Sequence, residues 1–405
     1  MAEVTNYIDR LVAELCPDGV EYRPLESLGK RNKGTAITAS KMRSLEPGNK
    51  DLRIFAAGST FVDTDSSNIP AKDILHGPAI IVKSRGYIGF EYYEESFTHK
   101  NEMWSYTLDS KIVDQKFIYY YLLTQAYYLQ ELARSKSVKL PQLAVKDTDS
   151  LEVPVPPLEI QEAIVEILDK FTNLEAELEA ELEARTLQYE YYRDSLLASF
   201  SESAVKFYSI EELFTTRNGY TPSKSNSSYW ENGTVPWFRM EDIRENGGVL
   251  SEALQSVHES ALKKGGMFPA GSIIVATSAT IGEHALINVD FLCNQRFTVL
   301  TPKEEFKSLL LPKFLYYYSF VLDRWCLANT TQSSFASVDM KRFKKFEFPL
   351  PSLEEQQRIV DILDRFDALT SSLSEGLPAE LAARRSQYEY YRDQLLTFPR
   401  KGEDQ

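Results

Sequence analysis

The longest uninterrupted pattern in the chain runs from residue 158 to residue 198, a stretch with neither Gly nor Pro. Apolar side chains fall there at Ile164, Ile167, Leu168, Phe171, Leu174, Leu178 and Leu182. Steps of three and four place these residues on one face of an α-helix. The pattern predicts a single helix of about 40 residues, about 60 Å long. Pro154, Pro156 and Pro157 punctuate its start, and the last suits a first helical turn. One small domain cannot cover a stripe of that length, so a second long helix is its expected mate. Elsewhere the pattern changes. Short apolar runs at 79–82, 272–276 and 297–300 predict strands, with turn pairs such as Gly48-Asn49, Asn218-Gly219 and Asn246-Gly247 between elements. Residues 117–132 and 313–327 read as amphipathic helices with Tyr-rich faces.

The chain repeats itself. Gln-Tyr-Glu-Tyr-Tyr-Arg-Asp occurs at 188–194 and again at 387–393, each time followed after one residue by Leu-Leu. Residues 153–171 match 348–366 at an offset of 195. The longer segments match more weakly. Ile80-Ile81-Val82 aligns with Ile273-Ile274-Val275, and the same offset of 193 pairs Gly89 with Gly282 and Asn101 with Asn294. Lys116-Phe117 aligns with Lys313-Phe314, and Val20, Leu25 and Leu28 with Val205, Ile210 and Leu213. The plan is a globular segment, a helical segment, then both again. The helical copies stayed alike while the globular copies drifted, as expected if the helices meet one kind of partner twice and the globular segments meet different ones. In the second helical copy, Ser352-Leu353-Glu354-Glu355 forms a capping box. Leu369 to Gln387 is four residues longer than Leu174 to Gln188 and includes Gly376 and Pro378, so that helix is expected to break there.

Net charge is −14 over 405 residues, which argues against nucleic acid until the charge is located. Residues 153–200 carry 11 acidic and 3 basic side chains, and residues 201–347 carry 16 of each. The acidity belongs mainly to the helical segments, so basic patches on the globular ones remain open. The acidic run 175–183 reads as a solvated helix face or a docking surface for a basic partner. Three cysteines without a CxxC pair and four scattered histidines point away from disulfides and metal sites, and fit a reducing cytoplasm. No apolar run of membrane-spanning length and no signal-peptide pattern is present. No phosphate-cradling GxxxxGKS, HExxH, GxSxG or Asn-Pro-Pro-aromatic string occurs. The expectation is a non-catalytic, cytoplasmic protein with no cofactor, no metal and no membrane partner.

Candidate chemistry lies in loops. Lys83, Ser84, Arg85 and Tyr87 follow the strand 79–82, and Thr277 and Ser278 follow its copy. Lys136, Ser137 and Lys139 follow the first Tyr-rich helix, and Thr330, Thr331, Gln332 and Ser333 follow the second. These are ordinary solvated turns or contacts to DNA, since Arg and Lys suit phosphates and guanine edges, and Ser and Thr suit either. Lys341, Arg342, Lys344 and Lys345 form the densest basic cluster, fit for backbone phosphates. Trp230 and Trp237 read as core. Tyr189, Tyr191, Tyr192 and Arg193, with Tyr388, Tyr390, Tyr391 and Arg392, read as helix packing, a protein-docking surface or base-stacking residues.

LCPDGVEYRPL (15–25), PPLEIQEAIVEILDKF (156–171), PLPSLEEQQRIVDILDRF (349–366) and the doubled QYEYYRD resemble the specificity subunits of Type I restriction-modification systems along essentially the whole chain. The resemblance implies an α+β fold: two mixed α/β target-recognition domains, 1–152 and 201–347, related by a pseudo-twofold internal repeat. Long helices at 153–200 and 348–398 would form an antiparallel coiled-coil spacer, with a tail at 399–405. It implies recognition of a bipartite, asymmetric double-stranded DNA target. It also implies docking of two methyltransferase subunits and of restriction (translocase and nuclease) subunits, which would carry the catalysis. The competing reading is a protein–protein scaffold whose paired domains bind ligands on a helical rod. Salt-sensitive binding to duplex DNA separates the two.

Overall fold

The computed structural model describes residues 2–45, 50–136, 139–202, 205–331, 336–370 and 376–402. The chain divides into two compact units, one of residues 1–177 with 382–405 and the other of residues 178–381. Each unit is a globular body with a helix pair.

The predicted long helix is Leu158–Ala198, 41 residues without a break. Its first half belongs to the first unit and its second half to the second. The distal segment is two helices, Leu353–Thr370 and Gly376–Leu395. Gly376 takes φ +73°, and a Cβ there would lie 2.4 Å from the Ala368 carbonyl oxygen. Only glycine fits so close a backbone crossing. Pro378 follows within the first turn, where its missing N–H costs no helical bond.

The first unit builds a four-stranded antiparallel sheet in the order Gly29–Lys33, Trp104–Leu108, Ala79–Lys83, Gly89–Tyr93. A second four-stranded sheet runs Phe61–Thr64, Leu52–Phe55, Ser96–His99, Leu75–His76. The helix Gln115–Lys136 packs on the first sheet, and Ile80, Val82, Phe117, Ile118 and Leu122 share one core with Ile160, Ile164 and Leu168 of the long helix. The second unit repeats the plan with Phe214–Asn218, Phe297–Pro302, Ser272–Ala276, His284–Ile287 and Val249–Leu250 in its main sheet. Its smaller sheet is Ser256–Val257, Val235–Phe238, Leu292–Cys293. The helix Pro312–Ala328 fills the role of Gln115–Lys136, with Phe314, Leu315 and Leu322 buried against Ile359 and Leu363. Trp237 is core as expected, whereas Trp230 is half-buried, its ring 5.0 Å from that of Trp237.

The joints between body and helices are built twice from the same parts. Asp169 accepts from the Tyr120 hydroxyl at 2.6 Å and pairs with Lys116 at 2.8 Å. Asp364 accepts from the Tyr317 hydroxyl at 2.6 Å and pairs with Lys313 at 2.6 Å. Gln161 is fully buried and bonds three backbone groups, at Asp114, Ile112 and Pro156. Gln356 does the same at Leu311, Leu309 and Pro351. Buried polar groups persist where every bond is made, and here the bonds fix the angle at which each helix leaves its body.

The repeated QYEYYRD segments complete the helix pairs. In the first unit the Phe171 ring lies 6.3 Å from Tyr388 and 6.0 Å from Tyr391, and Glu175 pairs with Arg385. In the second, the Phe366 ring lies 6.3 Å from Tyr189 and 5.8 Å from Tyr192. Along the first pair, residue numbers rise on one helix as they fall on the other, so it is antiparallel. No described helix is long and apolar enough to cross a membrane.

Candidate nucleic-acid interface

In each unit the structure joins the two loops that the sequence offers separately. The strand Ala79–Lys83 runs into Ser84–Gly86, and this loop bridges the segment after the helix through Arg85 and Gln142. The Leu143 N–H donates to the Ser84 carbonyl at 2.9 Å, and the Gly86 N–H to the Pro141 carbonyl at 2.9 Å. In the second unit Ser278 bridges Ser337, and the Val338 N–H donates to the Thr277 carbonyl at 2.9 Å. At the offset of 193, Gly86 corresponds to Ala279. Gly86 takes φ +80° and Ala279 takes φ +67°, so both loops turn through the left-handed region at the same place. Holding an alanine there costs about 1–2 kcal/mol, which the surrounding pairing must offset.

Individual side chains then sort by whether they are free. Arg85 is exposed and Tyr87 is 79% exposed, the barest large aromatic beside the first loop. Lys139 is exposed on the paired segment. Ser84 is a correction: it is buried, and its hydroxyl donates to the Glu102 carbonyl at 2.5 Å. Thr277 is another, buried with its hydroxyl 2.9 Å from that of Thr298. Both follow a strand directly and continue its alternation, two residues after the core residues Val82 and Val275, which keeps them on the inner face. Lys83 is held by Glu91 at 2.5 Å, and Lys136 by Asp147, so these two cations are already neutralised. Ser278 is half-buried. Thr330 and Thr331 are exposed on a short hairpin strand paired with Ser337–Val338, and the Thr331 hydroxyl lies 3.0 Å from that of Ser337. Ser137, Gln332 and Ser333 lie outside the described residues.

Lys341, Arg342, Lys344 and Lys345 are all exposed around the buried Phe343, on and just after the short helix Met340–Phe343. Asp339 caps that helix by accepting from the Lys341 and Arg342 N–H groups. The matching helix of the first unit, Val145–Asp149, carries Lys146, Asp147 and Asp149 instead. Asp147 pairs with Lys136 and Asp149 with Arg31. The same frame therefore presents four cations in one unit and a mixed, internally paired set in the other.

Sequence reasoning passed over a polar cleft of about 600 Å³ in the second unit. Lys224, Trp230, Arg239, Gln295 and Arg296 help line it. Its cations are single residues spread over 73 positions, so no local cluster announces them. Only the parallel pairing of Val235–Phe238 with Leu292–Cys293 brings Arg239 beside the turn 294–296. The Thr277 N–H donates to the Arg296 carbonyl at 3.1 Å, so the cleft is continuous with the loop that bridges Ser337.

The docking candidates divide as well. Tyr189 and Arg193 are buried, with the guanidinium 4.2 Å from the Phe320 ring centre, and they serve the fold. Burial pushes the Tyr189 and Tyr388 hydroxyls up to about 12. Tyr192, Tyr388 and Tyr391 pack on the partner helix's Phe366 or Phe171, and the Arg392 guanidinium lies 5.6 Å from the Tyr388 ring centre. Tyr191 and Tyr390, the same position in the two copies, are 69% and 59% exposed. Among the described residues no group of three or more His, Cys, Asp or Glu is placed to hold a metal ion.

Comparison with known proteins gives a consistent picture. The family described as Type I restriction modification DNA specificity domain matches residues 17–184 and again 202–383. The EcoprrI specificity subunit of Escherichia coli is 54% identical over 201 residues, 48% of this chain and 50% of that protein. The EcoR124I/EcoR124II specificity subunit of Escherichia coli is 42% identical over 252 residues, 60% of each. The matched part thus spans half to three fifths of these two relatives. Two solved structures share the fold. One, from work on complex assembly and conformational transition of the type I R-M system, has TM-score 0.59 at 14% identity and covers 93% of this chain and 97% of its own. The other, an S subunit from M. genitalium, has TM-score 0.52 at 17% identity and covers 93% and 96%.

Proposed function

The chain belongs to the family of Type I restriction modification DNA specificity domains, and from that premise we propose that it is the subunit that selects the DNA target of such a system. Residues 1–152 read one half of a bipartite, asymmetric duplex site and residues 201–347 read the other. The helices 153–200 and 348–398 space the readers and dock two methyltransferase subunits, restriction subunits join the assembly, and 399–405 is a tail. Those partners supply the chemistry, and this chain is not an enzyme.

One observation supports the reading most: the same frame occurs twice with different surfaces. Both bodies turn a left-handed corner after the same strand and bridge it to the segment after the same helix. The side chains on those corners differ, with Arg85, Tyr87 and Lys139 on one and Ser278, Thr330 and Thr331 on the other. Identical corners with different side chains suit two readers of two different sequences. The cluster Lys341, Arg342, Lys344 and Lys345 suits phosphate contact, which positions a reader without specifying bases. Tyr191 and Tyr390 suit the repeated docking surface, because this tyrosine position is exposed in both copies of a segment kept identical.

The test is to map methylated adenines in a host genome with and without this gene. The expected motif is split, with an unread gap. A continuous motif contradicts the two-reader arrangement. Exchanging residues 1–152 for another family member's domain should change one half-site only, and a change in both halves contradicts independent reading.

A further inference from the structure

We propose that the cleft of the second unit is its base-reading site, with Arg239 and Arg296 recognising guanine in the half-site assigned to residues 201–347; this rests on the DNA-reading function above.

The cleft's geometry is that of directed donors. Arg239 directly follows the strand Val235–Phe238. Its Nε is buried with no hydrogen-bond partner, and the Glu241 carboxylate lies 4.0 Å away, beyond hydrogen-bond reach. Its side chain is nevertheless 30% exposed, so the guanidinium extends from the wall into the cleft. A buried, charged donor left without an acceptor is costly and is ordinarily matched by something that binds. Beside Arg239, the turn 294–296 is fixed from within: the Asn294 side chain accepts from the Arg296 N–H at 3.0 Å. The Gln295 side-chain oxygen accepts from the Thr221 hydroxyl at 2.5 Å, which leaves its amide N–H groups to act as donors. Trp230 closes one side, held by its indole N–H on the Ser223 carbonyl at 3.1 Å. The cleft therefore presents two guanidiniums and an amide NH₂, with Arg239 set in its wall and the other two carried on a turn whose backbone is fixed.

Guanine is the base whose major-groove edge carries two adjacent acceptors, N7 and O6, and a guanidinium donates to both at once. A phosphate also accepts, but two features argue against it. The carboxylates of Glu231 and Glu241 in the same cleft nearly balance its three cations, Lys224, Arg239 and Arg296, so its field is weak. The unit already has an unbalanced patch for phosphates at 341–345. What the cleft adds is a buried guanidinium donor without an acceptor, beside further donors on a fixed turn, which suits a base edge.

The first unit differs at the corresponding turn. At the offset of 193, Gln295 corresponds to Glu102 and Arg296 to Met103. Glu102 is held by Lys100 at 2.5 Å, and Met103 is buried. The guanine-reading turn is thus a property of one half of the chain, and its effect should appear in one half of the target.

The experiment uses the full chain assembled with its methyltransferase partners. Arg296→Ala, Arg239→Lys and the wild type are compared by sequencing the sites each complex methylates, and by competition between duplexes that differ at one base pair. Arg296 is exposed, so its replacement leaves the fold intact. The expected result for each variant is roughly ten- to hundredfold lower discrimination for guanine at one position of one half-site. The other half-site should be unchanged. A uniform loss of affinity for all duplexes, with a salt dependence reduced by about one unit per cation, would mean phosphate contact and overturn the proposal. An unchanged motif in both variants, or relaxation in the other half-site, overturns it too. If the wild-type complex shows no sequence preference at all, the DNA-reading function itself falls; a wild type that discriminates beside variants that discriminate equally sinks only the assignment of the cleft.

Discussion

Replacing Gln161 with Met tests whether the two joints are as alike as they look. The side chain is fully buried and satisfies three backbone groups of the first unit. It accepts from the Asp114 N–H at 2.7 Å and donates to the Pro156 carbonyl at 2.7 Å and the Ile112 carbonyl at 3.3 Å. Methionine has a similar volume and leaves no cavity, but it can make none of these bonds. Two well-formed bonds to buried groups are lost, and each orphaned group costs about 1–3 kcal/mol. Subtracting about 1 kcal/mol for the added apolar burial leaves a net loss of about 1–5 kcal/mol. The assay is native-state hydrogen exchange resolved by peptide, because stability can differ between parts of a structure. Slow amides in the strand Ala79–Lys83 and the helix Gln115–Lys136 should lose roughly fivefold protection or more. Those in Ser272–Ala276 and Pro312–Ala328 should keep theirs. Gln356→Met should give the mirror image, since Gln356 bonds Leu311, Leu309 and Pro351 in the same way. The reasoning is refuted if either substitution leaves its own unit's protection unchanged, or lowers both units equally.

Three further outcomes are expected. Burial lowers the His99 imidazole to about 4, below its unfolded value of roughly 6.5. Between those values the unfolded chain binds a proton that the folded one does not, so stability falls as pH drops from about 6.5 toward 4, by about 3 kcal/mol in all. Denaturation midpoints at pH 7 and pH 5 should show this fall, and His99→Gln should flatten it. Gly219→Ala should destabilise the second unit by about 1–3 kcal/mol, because the new Cβ would lie 2.3 Å from the Asn294 carbonyl oxygen and 2.4 Å from that of Cys293; a thermal melt as stable as wild type contradicts this. Replacing Lys341, Arg342, Lys344 and Lys345 together with Ala should weaken duplex binding uniformly across sequences and flatten the plot of log affinity against log salt by up to about 3.6. A changed motif instead would make them base readers.

Much of the plan is legible in the string because it depends on neighbours in sequence. The helix Leu158–Ala198 has the bounds the pattern suggests, since an unbroken period with no Gly or Pro leaves a helix little alternative. The strands Ala79–Lys83 and Ser272–Ala276 follow from buried apolar runs. The doubled QYEYYRD is visible by eye, but its burial differs between the copies: Tyr189 and Arg193 are buried while Tyr388 and Arg392 are half-buried. Family membership rests on the same strings.

The sites are legible only in part. Choosing the loops 83–87 and 276–280 needed only the polar residues after a strand. Knowing that each meets the segment after the next helix needed the bridges Arg85 to Gln142 and Ser278 to Ser337. Ser84 and Thr277 look like free hydroxyls in the string and are buried, because the direction of a side chain is set by the sheet it leaves. Gln161 looks like a polar break in an amphipathic stripe, and the backbone groups it satisfies lie 47, 49 and 5 residues away.

The sequence by itself determined the repeat, the long helix, the acidity of the helical segments and the family, since periodicity, composition and identity are properties of the string. The tertiary structure alone decided which cations are free and which are paired, which tyrosines face solvent, and that Arg239 and Arg296 line one cleft. Those outcomes depend on strand order and on pairing across tens of residues, where each contact is fixed by the packing of every other and no short motif encodes it.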